Sequence, residues 1–506
     1  MATGGTLRVA VIGDVHGHWS SRDSAALAAL SPSTALFVGD YGNEDPAVVD
    51  AILRSPTAAA GGAALVFGNH DAWYTATPSG RRNCPYDRAV MDPVGDMLAA
   101  AADSHVSYGW KRVDGGGKED VDDPAAGGAG GGVAVVGGRP FGWGGPFWKH
   151  APFYRNYFGV VDGADSTRRV VAAVRGALGG GRGHVAPVTR QLRRPAGKET
   201  AAAATTTAPA TAAAAERPTA MRLLADPPVR GGRPAAGKGP SASVRPVRPS
   251  PLPSPPPSAP APTGGGTSTL LFLSHNGPTG LGADRAAPCG KDWGAHPGGD
   301  YGDADLRAGV NAARAAGARV PLVAFGHMHE RLAQGAGWRR MVVVEPDHPA
   351  GGNTSASGNG GGGGQTEGEE EGERARRETV FLNAAVVPRV MMHGNGDSVE
   401  DSLHHFMLVE LRQEGGSPAA AVPRSNNGNG NSDGRADGGR APTSGGSATL
   451  LAPRIVWGVH TVDQVWARPD GRVHTSERLY EAGRGVLPRT NVGWRVPDLD
   501  EAIRKA

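Results

Sequence analysis

Seven residues of metal-ligand type and one histidine of acid–base type lie in five short blocks. They are Gly-Asp14-Val-His16, Gly-Asp40, Gly-Asn69-His70-Asp71, Ser-His275-Asn and Gly-His327-Met-His329. Asp, Asn and His make a hard-to-borderline donor set suited to Mn, Fe or Zn rather than to a thiolate site. Asp14 and His16 stand two apart and can reach one ion from a single loop. Asp40 stands alone and is the natural bridge between two ions. Asn69 adds an oxygen without adding charge, while His327 and His329 can address different ions. Two ions about 3.5–4 Å apart can hold a bridging hydroxide that attacks phosphorus in line.

Each block directly follows a short apolar run: Leu7 to Ile12, Ala35 to Val38, Ala63 to Phe67, Leu270 to Leu273, and Pro321 to Phe325. Runs of this kind read as buried parallel strands that deliver side chains to one rim. Ser21 to Leu30 and Pro46 to Leu53 serve as crossover helices, the second with Asp45 as N-cap and Pro46 at the first helical position. Residues 7 to 75 are therefore expected to form a parallel β-α-β-α-β unit with right-handed crossovers. Open α/β sheets bind ligands at the C-terminal ends of such strands. Further helices are expected within 86–112 and at Asp305 to Ala316. Later strand-like runs, Arg340 to Val344, Thr379 to Val387, His405 to Leu411 and Arg454 to Val465, suggest a second sheet with expanded hairpin connections. The stretch Val133 to Val160 contains a strand, Val133 to Val136, followed by an aromatic-rich segment that reads as a loop capping the sheet, or in part as a wall of the substrate pocket.

Taken together and in order, the five blocks resemble the motifs of the calcineurin-like metallophosphoesterases. The resemblance covers about 250 residues, roughly half of the chain. It implies a four-layer α-β-β-α sandwich of two mixed sheets, an α/β (α+β) class. It assigns Asp14, His16 and His329 to the first metal, and Asn69, His275 and His327 to the second, with Asp40 bridging. It makes His70 the general acid for the leaving alkoxide, with Asp71 orienting it. Protein phosphatases of this superfamily continue the second block with Asp-Arg-Gly, and purple acid phosphatases place a tyrosine three residues after the bridging aspartate. Here the text is Asp40-Tyr41-Gly-Asn43-Glu44, which points away from both. Without a phenolate for Fe(III), two divalent ions are expected, Mn first and then Fe or Zn. The text Ser-His275-Asn-Gly-Pro-Thr-Gly-Leu-Gly and the following Pro-Cys-Gly-Lys-Asp-Trp are similar to a branch from photosynthetic organisms, which implies no particular substrate.

Candidate substrate contacts are His18, Arg139 and Arg155, with Asn383 supporting the last block from a neighbouring strand. Asp300 and Asp303 are expected to shape a loop or to reach the pocket, and His404 and His405 to be structural. The expected activity is hydrolysis of a small phosphorylated substrate. Alternatives are a non-catalytic binding module on the same fold and a phosphodiesterase acting on nucleic acid.

Composition bounds the rest. The 506 residues include 79 Gly and 41 Pro, concentrated in stretches that cannot bury a core. One discontinuous catalytic domain is expected at 5–160 and 268–468. Long disordered inserts are expected at 165–266, 350–377 and 415–447, with a tail at 469–506 that ends in a short helix, Asp498 to Lys505. Arg168 to Ser250 holds 15 Lys and Arg against 3 Asp and Glu, which leaves the remainder net acidic. Such an arm could bind nucleic acid by counterion release, but it lacks interleaved aromatics for base stacking, and a passive insertion is preferred. Cys84 and Cys289, far apart, are no disulfide framework. No apolar run is long enough to span a membrane. The first strand starts by Leu7, so a cytoplasmic protein is expected, or a chloroplast one if the start is truncated. The sequence sets no oligomeric state.

Overall fold

The computed structural model describes residues 5–113, 132–145, 147–179, 269–294, 297–333, 337–347, 378–392, 402–414 and 456–489. The first part of the chain gives β1 (Thr6–Ile12), α1 (Ser21–Ala29), β2 (Thr34–Phe37), α2 (Pro46–Leu53), α3 (Pro56–Ala59) and β3 (Ala63–Leu65). A 3-10 turn (His70–Ala72) leads into α4 (Trp73–Ala76), α5 (Pro78–Arg82) and α6 (Pro93–Ala100). Next come β4 (Trp110–Arg112), β5 (Val133–Gly137), α7 (Ala151–Phe158) and α8 (Gly163–Leu178). Then follow β6 (Thr269–Leu273), α9 (Ala304–Ala315), β7 (Arg319–Phe325), β8 (Val342–Pro346) and β9 (Glu378–Asn383). The last are β10 (Val390–Met392), β11 (Ser402–Glu414), β12 (Val456–Ala467), β13 (Val473–Glu481) and β14 (Gly485–Val486).

Two mixed sheets result. In one, β1, β2 and β3 run parallel, and β11, β12, β13 and β14 continue antiparallel from the other side of β1, with β10 also on β11. In the other, β5, β6, β7 and β9 are parallel, flanked by antiparallel β4 and β8.

The alternation of side chains along each strand explains the layering. Leu7, Val9 and Val11 of β1 meet Leu271 and Leu273 of β6 and Leu322 of β7 in a core between the sheets. Ala10 and Ile12, the opposite face of β1, pack with Leu27, Val49 and Ile52 of the first helices. Leu270 and Phe272 of β6 pack with Ala173, Val174, Ala177 and Leu178 of α8 and Leu306 and Val310 of α9, while Val170 belongs to the first helical core. Three cores between successive layers make the α-β-β-α arrangement. Both faces of the central strands are dry, which is why their sequences are continuous apolar runs. Burying each such side chain is worth about 1.5–3 kcal/mol.

The expected crossovers are present, and Asp45 caps α2 by accepting from the Ala47 N–H at 3.0 Å. Three expectations are corrected. The stretch from 165, taken as the start of an unstructured insert, begins as α8. Asp162 caps this helix by accepting from Asp165 N at 2.7 Å, and Val170, Ala173, Val174, Ala177 and Leu178 are buried. Its Ala/Arg-rich composition masks a helical spacing of apolar residues. The late strands do not share one sheet: β8 and β9 join the second, whereas β11 and β12 extend the first. Finally, 469–489 is no loose tail, because β13 and β14 lengthen the first sheet and the Tyr480 hydroxyl donates to Glu378 at 2.8 Å. Most of the expected basic insert, both low-complexity inserts and the helix Asp498 to Lys505 lie outside the described residues. Among the described residues no helix is long and apolar enough to cross a membrane.

Candidate metal centre

The five blocks lie where the sequence places them, just past the ends of β1, β2, β3, β6 and β7. A glycine precedes Asp14, Asp40, Asn69 and His327, and the reason is close approach. A Cβ on Gly68 would stand 2.1 Å from Asp40 Oδ1 and 2.6 Å from the His275 ring; one on Gly326 would stand 2.4 Å from Asp14 Oδ1. The side chains can converge only because the backbone between them has no bulk. His16, Asp40 and His327 have φ of 47°, 54° and 69°. Left-handed backbone at a non-glycine residue is strained by about 1–3 kcal/mol, and such strain clusters at functional sites.

Three groups of side chains bring one potential ligand atom each within 4.8 Å of one another: Asp14, His16 and His329; His16, Asp40 and His70; and Asp40, His275 and His327. Asp40 and His16 each belong to two groups, so the set is continuous. His16 Nε2 lies 3.4 Å from His329 Nε2, and Asp14 Oδ2 lies 3.4 Å from His329 Nε2 and 4.0 Å from His16 Nε2. That carboxylate oxygen is buried and accepts no hydrogen bond. The His275 Nδ1–H donates to the Val38 carbonyl at 2.9 Å, which turns Nε2 toward Asn69 Oδ1 at 2.9 Å and Asp40 Oδ1 at 3.4 Å. A lone-pair nitrogen facing two oxygens is an arrangement that a cation resolves, and fixing the other ring nitrogen is how proteins orient histidine ligands. The residues present therefore fit divalent metal ions.

Charge balance points the same way. Burial alone would raise the Asp14 carboxyl, but the His329 contact and the charges of His275, His329 and His16 hold it well below the usual carboxylate range. Asp40 is likewise held low against its burial, chiefly by His275 and His70. Burial and the neighbouring His275 push His327 down to about 3, so its ring is neutral and ready to ligate. His329 moves the other way: burial would lower it, but the Asp14 contact together with the charges of Asp14, Asp40 and Asp292 raises it.

Other predicted residues fare differently. The His70 N–H of the backbone donates to Asp40 Oδ1 at 2.8 Å, and its ring Nδ1–H donates to Asn43 Oδ1 at 2.8 Å. Asp71 does not orient that ring. Its fully buried carboxylate accepts backbone N–H groups from Gly68 at 2.7 Å, Asp40 at 3.0 Å, Tyr41 at 2.7 Å and Gly42 at 3.3 Å. Burial and the Asp40 charge push Asp71 up, while these four donors suit its ionised form. Arg139 is no free phosphate ligand: it is buried, ion-paired to Asp303, and near Asp305 at 3.7 Å. Arg155 is exposed on α7, and no described contact ties it to the cluster. His18 is exposed beside the first block, its carbonyl accepting from Arg389 Nη2 at 3.2 Å. Asn383 is fully buried and donates to the Met328 carbonyl at 2.6 Å, so it braces the His327–His329 segment and does not face a substrate. Asp300 turns its loop by accepting from the Gly302 N–H at 2.9 Å, and Asp303 is the buried partner of Arg139. His404 donates through Nδ1 to Asp23 at 2.8 Å, in a buried network with Arg389 behind the first block.

Sequence reasoning missed Asn43 and two buried arginines, Arg389 and Arg339. Arg339 Nε donates to the His329 carbonyl at 3.0 Å, and its Nη1 donates to Ala287 and Gly290 at 2.7 Å. Asn43 stands three residues past Asp40, the one place where a signal was available.

No curated protein matches this chain. A family model described as calcineurin-like phosphoesterase matches residues 7–172, about a third of the chain. That span holds Asp14, His16, Asp40, Asn69 and His70, while His275, His327 and His329 reach the same cluster from beyond it. Residues 7–172 are thus similar to the calcineurin-like phosphoesterase family.

Proposed function

We propose that this chain is a two-metal phosphoesterase whose ions are held by Asp14, His16 and His329 on one side and by Asn69, His275 and His327 on the other, with Asp40 between them. The observation that carries the reading is the sharing of Asp40 and His16 between overlapping ligand groups, which suits two adjacent ions better than one. Two divalent ions, Mn first and then Fe or Zn, supply Lewis acidity to the phosphoryl group and acidify water. The chain's own residues set the geometry. Buried Asp14 and Asp40 concentrate negative charge, and neutral Asn69 limits it. Asp71 locks the loops after β2 and β3 in register through their N–H groups. His70, held by Asn43 through Nδ1, keeps Nε2 for the leaving group. In hydrolysis the water oxygen gives up a proton to solvent and bonds to phosphorus, the P–O bond to the alcohol breaks, the alcohol oxygen takes its proton from His70, and His70 is reprotonated from solvent.

The test is hydrolysis of p-nitrophenyl phosphate and its bis-ester by protein loaded with Mn, with metal content measured on the same sample. Turnover that disappears in Asp40→Ala together with metal is expected. No turnover of any phosphate ester by protein with two ions bound would sink the reading.

A further inference from the structure

The His70 ring begins a row of aromatic side chains that metal binding does not need. Trp73 stacks on His70 with centroids 5.2 Å apart and planes 9° apart. Trp143 stacks on Trp73 at 5.4 Å, and His150 leans on Trp143 at 4.9 Å. Tyr301 follows on the adjoining loop, with Lys149 and Lys291 at 5.6 Å and 5.5 Å from its ring and Trp293 edge-on at 5.2 Å. This surface is joined to the metal blocks. Asn276, next to His275, donates to the Tyr301 carbonyl at 2.7 Å, and the Gly145 N–H donates to the same oxygen at 2.9 Å.

Core packing accounts for part of this aromatic region and not for the rest. Phe141, Phe153, Tyr154 and Phe158 are buried in the helical layer. Trp73, Trp143 and His150 remain partly exposed, and Phe147, on the same loop, is 75% exposed. Large rings left wet beside a polar cluster mark a ligand surface. Aromatic rings interleaved with lysines are the combination that stacks bases and attracts phosphates. Position supplies the direction. An alcohol leaving beside His70 would meet Trp73 and then Trp143 as the next rings of this row, and a flat ring system is the group that such rings hold.

We propose that Trp73 and Trp143 form a stacking shelf for the nucleobase of a nucleoside monophosphate whose phosphate is held at the Asp14–Asp40–His327 cluster. This rests on the phosphoesterase reading, and the experiment separates the two. With Mn-loaded protein, kcat/KM is compared for adenosine 5′-monophosphate and ribose 5-phosphate, which lacks the base. Calorimetry follows the binding of free adenosine, which needs no turnover. Stacking of one base on an aromatic side chain predicts a preference of about tenfold or more for the nucleotide. The preference and the adenosine affinity should fall together in Trp143→Ala and largely survive in Trp143→Phe, which separates loss of stacking from loss of folding. Equal turnover of the two esters by the parent, or an unchanged ratio in Trp143→Ala, overturns the shelf and leaves the esterase reading standing. Adenosine binding that depends on Trp143, with no ester hydrolysed, supports the shelf and removes the esterase reading.

Discussion

The His70 ring donates through Nδ1 to Asn43, whereas Asp71, its neighbour in sequence, turns its carboxylate into the strand-end backbone. The two residues should therefore fail in different ways. Asn43→Ala frees the ring without touching a predicted ligand. Metal content should hold, and kcat should fall by about 10- to 100-fold for alkyl phosphates, less than the full contribution of a general acid. Esters with good leaving groups, which need little protonation, should lose less; equal losses across leaving groups would remove Asn43 from the proton-transfer machinery. Asp71→Ala leaves four buried N–H groups without an acceptor. We expect a stability loss of roughly 3–5 kcal/mol, read by thermal unfolding, together with weaker metal binding. Asp71→Ala that keeps parental stability and loses only rate would restore the catalytic role read from the sequence. Spacing along the chain reveals which residues gather at a strand end, but not which of two polar neighbours faces the ring.

At the scale of elements, five strand ends bring their residues together because buried strands leave the side-chain donors only one exit, at the rim. This is why the candidate ligand set could be gathered from the sequence before the fold was known. Continuous apolar runs mark buried parallel strands, and a polar block after each one marks the rim. Other elements carried no such mark. β13, Val-His-Thr-Ser-Glu-Arg-Leu-Tyr-Glu, lies near a sheet edge with much of its surface wet, and its charge resembles a tail. Helix α8 hides its apolar stripe among alanines and arginines. Arg339 and Arg389 look like ordinary surface residues in the sequence, since carbonyl partners such as Gly290 and His18 come from segments far along the chain. The glycines between converging ligands are the strictest element-level requirement. In Gly68→Ala the new methyl group would meet Asp40 Oδ1, Asp40 N and the His275 ring, all backed by packed strands. Metal binding should be lost, or weakened by about tenfold or more as when a supporting shell is disturbed, while far-ultraviolet circular dichroism keeps its parental shape. Full metal occupancy in Gly68→Ala would mean that the strand ends are less tightly packed against each other than these distances require.

For the whole molecule, the first sheet reaches from the rim that carries the candidate ligands to β14, so its stability links the site to distant residues. His405 of β11 lies in that sheet, fully buried, edge-on to Trp466 at 5.0 Å, with no hydrogen bond to either ring nitrogen. Burial, then the charges of Arg389 and Arg489, depress it from 6.5 to about 3. As pH falls through about 6.5 the unfolded chain takes up a proton here, and the folded chain does not until about 3. The unfolded state then binds more protons, so stability declines as pH falls across that window and the decline is complete near its lower end. His405→Phe keeps a ring against Trp466 and removes the proton. Measured on metal-free protein, so that acid release of metal does not contribute, the parent's Tm should drop more steeply than the variant's between pH 6.5 and pH 3. The Asp23–Arg389–His404 network is acid-sensitive too, because Asp23 is held low and loses its pairing as it protonates. It is present in both proteins, so the difference between them isolates His405. Parallel Tm curves would mean that the folded protein accommodates a charged His405, by opening the sheet around it or by admitting water beside Arg389.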